Sequence, residues 1–124
     1  MVINSKKRGI SMYLRCFDDV KELTTELVKI PSIVKTSGET DCAQRIHEFY
    51  SQLPYFKDHP EYLLLQQTEN DEIERHNVLA MVKGTKGTSN RTVILMGHLD
   101  TVGIDDFGSL KAHACDPDKL PTLL

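Results

Sequence analysis

Thr92-Val93-Ile94-Leu95-Met96 is an uncharged run of β-branched and long apolar side chains closed by Gly97, and directly behind it stand His98 and Asp100. A run of this kind bounded by turn formers predicts a strand covered on both faces, with polar residues only where the run stops. Open α/β sheets keep their chemistry at such strand ends. Because side chains alternate along an extended chain, His98 and Asp100, two residues apart, face the same side and can serve one site.

The rest of the chain reads as scaffold for that strand. Val20, Leu23, Leu27 and Ile30 recur at intervals of three and four with charged residues between them, predicting an amphipathic helix from Phe17 that Pro31 stops. Asp18 and Asp19 are expected in its first turn, where they complement the helix dipole. Thr36-Ser37-Gly38-Glu39 has the form of a capping box and predicts a second helix, with Cys42, Ala43, Ile46, Phe49, Tyr50 and Leu53 as its apolar face and Pro54 at its end. His47 on that helix has no second histidine or cysteine at ligand spacing and reads as structural.

Residues 55–60 read as a turn. Tyr62-Leu63-Leu64-Leu65-Gln66-Gln67 and Asn77-Val78-Leu79-Ala80-Met81-Val82-Lys83 are each short enough for strands, with a charged, solvated loop between them. Gly84-Thr85-Lys86-Gly87-Thr88-Ser89-Asn90 is dense in turn formers, so the second of these strands is expected to pair with residues 92–96 as an antiparallel hairpin. No phosphate-loop pattern is present there. After Asp100 the periodicity dissolves into a segment punctuated by Gly103, Gly108, Pro117 and Pro121, which reads as a loop.

A length of 124 residues suits one modest domain, or a piece of one. Net charge of −3 argues against nucleic acid as a partner, since such modules carry a basic excess. No apolar run is long enough to span a membrane. Cys16, Cys42 and Cys115 are widely spaced, odd in number and without C-x-x-C pairing, which fits reduced thiols and a cytoplasmic location. Lys6, Lys7 and Arg8 precede no signal-peptide core and read as part of a solvated tail, and Met12 is a second candidate start.

A neutral imidazole is the commonest protein ligand for zinc, and it usually gives its other ring N–H to a carboxylate that fixes the tautomer. His98 and Asp100 suit that arrangement, with Gly97 allowing close approach and Thr101 extending the polar surface. On spacing alone the metal signal is weak and a pair hydrogen-bonded into the fold is the commoner outcome, because a zinc site needs three or four ligands and one is placed.

The segment Val93-Ile94-Leu95-Met96-Gly97-His98-Leu99-Asp100-Thr101-Val102 resembles the first metal-binding motif of the co-catalytic zinc aminopeptidase/carboxypeptidase family, which includes aminoacylases, succinyl-diaminopimelate desuccinylase and peptidase T. Its continuation, Gly103-Ile104-Asp105-Asp106-Phe107-Gly108-Ser109-Leu110, resembles the bacterial arginine-utilisation branch. Ile30-Pro31-Ser32, the second helix and the hairpin fall in the family's order, so the resemblance runs from about Tyr13. It implies an α/β fold: a zinc-peptidase-like catalytic domain, here its N-terminal part (13–124, after a flexible tail at 1–12), with two helices followed by a mixed sheet and a β-hairpin. It also implies that His98 is a metal ligand for one of two zinc ions and Asp100 the catalytic-site carboxylate that clamps its imidazole. The reaction implied is hydrolysis of an amide or peptide bond by a metal-bridging water. The implied substrate is a small peptide or N-acyl amino acid, and the full-length family enzyme forms a homodimer through a lid domain.

The family also uses a bridging aspartate in a Gly-rich motif, an adjacent Glu-Glu pair and later acidic and histidine ligands. Asp105, Asp106, His113, Asp116 and Asp118 do not reproduce them and read as loop residues. With one zinc ligand in place, the 124 residues alone are expected to be inactive. The alternative is a non-catalytic α/β binding protein that keeps the scaffold, with His98 and Asp100 as a hydrogen-bonded pair.

Overall fold

Proline positions divide the helical half of the chain. The computed structural model describes residues 5–124, with side chains from Cys16 onward. Helix α1 spans Ser5–Val28. The tail expected over residues 1–12 therefore lies outside the described residues at 1–4 and inside the bounds of α1 beyond them. Because α1 begins well before Phe17, Asp18 and Asp19 sit in its interior and not in its first turn, so the dipole argument for them does not apply. Leu23, Leu27 and Ile30 of the expected stripe are half-buried, whereas Phe17 and Val20 are exposed.

Helix α2 spans Gly38–Gln52 and helix α3 spans Pro54–Asp58. The extended Leu53 separates them, and Pro54 takes the first-turn position where its missing N–H costs nothing. Residues 55–60, expected as a turn, are therefore mostly helical. The expected capping box does not form: the Thr36 hydroxyl donates to the Ile33 carbonyl at 2.6 Å, and no side chain caps α2. Glu39 instead accepts from the Lys35 N–H at 2.6 Å, reaching back one residue beyond Thr36. Gly38 is required by packing, since a Cβ there would lie 2.0 Å from the Pro31 carbonyl oxygen.

Strands β1 (Leu63–Gln67) and β2 (His76–Ala80) pair antiparallel, with Leu63 opposite Ala80 and Gln67 opposite His76. Leu63, Leu65, His76 and Val78 are half-buried in alternation with exposed neighbours, and α2 packs against this hairpin. Thr40 on α2 donates to the Glu74 carbonyl at 3.2 Å, and Arg75 pairs with Asp71 at 2.9 Å. The connecting loop is thus tied to the start of α2. Cys42, Ala43 and Phe56 form the buried apolar centre. Edge-to-face contacts of Phe56 with Tyr50 and Tyr55, at centroid distances of 5.5 and 5.3 Å, extend it.

The chain is α/β, helices followed by a β-hairpin, and the hairpin is not the one expected between residues 77–83 and 92–96. β2 pairs with β1 across the charged loop, and residues 92–96 form no strand. Val93, Ile94, Leu95 and Met96 are exposed by 83%, 77%, 92% and 93%. A strand covered on both faces depends on neighbouring elements, and none among the described residues reaches this segment. Contact with the rest of the chain resumes at Leu99, whose carbonyl accepts from Ser32, and at Thr101, which forms an isolated parallel bridge with Ile33. A 3-10 helix at Asp105–His113, kinked at Gly108 (φ 53°), follows, in place of the expected loop. No helix among the described residues is long and apolar enough to cross a membrane.

Candidate functional site

Three hydrogen bonds fix the segment that carries the histidine and the carboxylate. Ser32, almost fully buried between α1 and α2, donates its hydroxyl to the Leu99 carbonyl at 2.8 Å and accepts the Thr101 N–H at 2.8 Å through its own carbonyl. The Val34 N–H donates to the Thr101 carbonyl at 2.9 Å. Asp100 therefore stands between two anchored residues. Ser32 escaped the sequence reading as a positioning residue. A polar residue straight after a helix-ending proline is its only local signal, and nothing local says that it reaches across 67 residues to Leu99.

His98 and Asp100 do come together. The imidazole Nδ1 lies 2.9 Å from the Asp100 carbonyl oxygen and 3.3 Å from its carboxylate Oδ1. With two acceptors at Nδ1, a neutral ring keeps its proton there and leaves the Nε2 lone pair outward. The His98 side chain is 84% exposed and that of Asp100 is 42% exposed, so the contact is solvated.

On the inner side, His98, Leu99 and Thr101 border an apolar groove of about 410 Å3, together with Ile30, Ile46 and Phe107. Cys42 and Cys115 also reach it, both as free thiols. Burial pushes the Cys42 thiol above its ordinary range, and the neighbouring Ser32 side chain works in the opposite direction.

Asp105, Asp116 and Asp118 near the C-terminus each have partners away from His98. Asp105 pairs with Lys111, which holds its carboxyl below the usual range. Asp116 accepts the N–H groups of Asp118 and Lys119 at 3.1 and 2.9 Å, and Asp118 pairs with Lys29 at 2.7 Å, raising the lysine's affinity for its proton. Among the described residues, no group of three or more histidine, cysteine, aspartate or glutamate side chains is arranged to hold a metal. A catalytic zinc site takes three protein ligands and a structural one four. The residues present therefore fit one coordination position with its orienting carboxylate, and not a complete zinc site.

Fold and site together define an α/β chain that anchors a His-x-Asp segment beside an apolar groove. Over 101 residues it is 45% identical to Protein RocB of Bacillus subtilis (strain 168), a stretch covering 82% of this chain and 18% of that protein. Over 103 residues it is 34% identical to the Uncharacterized protein YqjN of the same organism, covering 83% of this chain and 18% of that one. The chain thus spans less than a fifth of the length of the curated relatives it matches. A 101-residue stretch of a 124-residue chain cannot start after residue 24 or end before residue 101, so Ser32, His98 and Asp100 fall within both similarities. No family model matches the chain. No solved structure matches it.

Proposed function

We propose that this chain represents the N-terminal portion of the catalytic domain of a zinc-dependent amidohydrolase or peptidase, acting in the cytoplasm in amino-acid (arginine) utilisation. His98 supplies one metal ligand through Nε2, and Asp100 holds the ring. The single observation that carries this reading is the contact of His98 Nδ1 with the carbonyl oxygen and one carboxylate oxygen of Asp100, on a side chain that is otherwise exposed. Zinc-bound histidines are commonly oriented this way, by a carboxylate or carbonyl at the other ring nitrogen. The remaining ligands of a two-zinc site belong to sequence outside these 124 residues, as does whatever selects a small peptide or N-acyl amino acid as substrate. Zinc in the complete enzyme supplies a Lewis acid and an activated water. The part played by this chain is confined to placing one imidazole.

The test is a chimera in which this chain replaces the matched segment of Protein RocB. His98→Ala should lower bound zinc and reduce amide-bond hydrolysis roughly a hundredfold, and Asp100→Asn should weaken zinc affinity on the order of tenfold. A chimera that keeps its zinc content and turnover after His98→Ala sinks the reading. The competing reading, a non-catalytic α/β binding protein, draws on the apolar groove beside His98 and predicts no zinc dependence of any kind.

A further inference from the structure

Every polar group of Ser32 is committed to a backbone partner. Its N–H donates to the Ile30 carbonyl, its carbonyl accepts the Thr101 N–H and its hydroxyl donates to the Leu99 carbonyl, each at 2.8 Å. The bridge between Ile33 and Thr101 is parallel, and a regular parallel ladder continued one step toward Leu99 would use the Ser32 N–H as the donor to the Leu99 carbonyl. That N–H is turned back onto Ile30, and the hydroxyl takes its place. The Leu99 carbonyl has no backbone donor among the described residues, so this side chain alone carries the ladder past Thr101. Ser32 is 3% exposed, which keeps water from replacing the bond. The start of α2 holds Ser32 in turn, since a Cβ on Gly38 would lie 2.0 Å from the Pro31 carbonyl oxygen and 3.2 Å from the Ser32 Cα.

We propose that Ser32 is a positioning residue of the metal site: its hydroxyl, standing in for a ladder N–H, fixes Leu99 as its carbonyl fixes Thr101, and so aims Asp100 at the His98 ring. Asp100 has one anchored neighbour on each side, and its carbonyl and carboxylate oxygens lie 2.9 and 3.3 Å from the His98 Nδ1. Without the hydroxyl, the anchored stretch begins at Thr101. Leu99 and Asp100 then join the exposed run that precedes them, and the carboxylate samples other rotamers in place of the one that meets the ring. Ser32 touches neither metal nor substrate and acts only through Asp100. The consequence for zinc rests on the hydrolase reading, whereas the placement of Asp100 does not.

A double-mutant cycle on zinc affinity in the Protein RocB chimera tests it. Ser32→Ala should raise the zinc Kd on the order of tenfold, and Ser32→Thr, which keeps the donor, should hold the parental affinity. Because Ser32 works through Asp100, Ser32→Ala/Asp100→Asn should bind zinc no more weakly than Asp100→Asn alone. Parental affinity in Ser32→Ala overturns the proposal, as do losses that multiply in the double variant, the result expected of a general loss of structure. A second measurement uses the 124-residue chain without metal: three-bond couplings of Asp100 should report one χ1 rotamer in the parent and an average in Ser32→Ala, with amide exchange in β1 and β2 unchanged. Couplings that Ser32→Ala leaves unaltered, or that change only together with exchange in β1 and β2, overturn it. A chimera whose zinc is indifferent to His98→Ala sinks the hydrolase reading instead, and the couplings then decide the role of Ser32 toward Asp100.

Discussion

Two regions of similar apolar content meet opposite fates in this chain. In the module of α2, α3 and the β1–β2 hairpin, Cys42, Ala43 and Phe56 are buried and the connecting loop is bonded back to the helix. In residues 84–98, Val93 to Met96 stand in solvent. The module closes on itself because its partners lie within about forty residues of one another and each contact orders the next. The later segment has side chains as apolar as any in the module, but no neighbour to bury them. Hydrophobicity marks what can be buried, and topology decides whether it is.

The comparison is sharpest at matched truncations. Phe56→Ala should destabilise the chain by about 3 kcal/mol, because a buried ring and its two edge-to-face contacts are lost. Leu95→Ala should fall within about 0.5 kcal/mol of no effect. Chemical denaturation of the two variants checks both, and equal losses would break the contrast. A smaller effect is expected at the link between the regions. Ser32→Ala removes the hydroxyl that satisfies the Leu99 carbonyl and should cost about 1 kcal/mol, with faster amide hydrogen exchange at Thr101 and little change in β1 and β2. Uniform exchange across the chain would show that the two regions unfold as one.

The smallest effect concerns pH. The Cys42 thiol binds its proton more tightly folded than unfolded, so its contribution to stability is fully present below the ordinary thiol value of about 8.5 and is lost as pH rises through the folded value. Stability followed by urea titration should be insensitive to this group below that pH and decline above it. Cys42→Ala should remove that part of the slope. A slope unchanged in Cys42→Ala would show that the thiol is as accessible as the residues 84–98 region, against the contrast drawn above.

Local sequence was enough for much of the scaffold. The stripe through Cys42 and Ala43, closed by Pro54, placed α2, and the short apolar runs flanking a charged loop placed β1 and β2. The same kind of reading put the start of α1 too late, at Phe17. It missed α3 because a proline that ends one helix also opens the next. It paired β2 with residues 92–96 because a glycine-rich link is the usual hairpin signal, whereas the strand that β2 meets lies on its other side in sequence.

The candidate site divides in the same way. The two-residue spacing of His98 and Asp100 follows from the chain itself, and their contact needs little beyond local geometry. The anchoring of that segment by Ser32, the close approach that requires Gly38, and the groove lined by Ile30, Ile46 and Phe107 are properties of the folded chain, because each joins residues that no periodicity relates. Sequence by itself determined which segments favour helix or strand and that His98 and Asp100 can come together, since those depend on neighbours one to four residues away. Only the tertiary structure decided which strands pair and which apolar run stays uncovered, since backbone pairing and burial depend on partners that local chemistry does not choose.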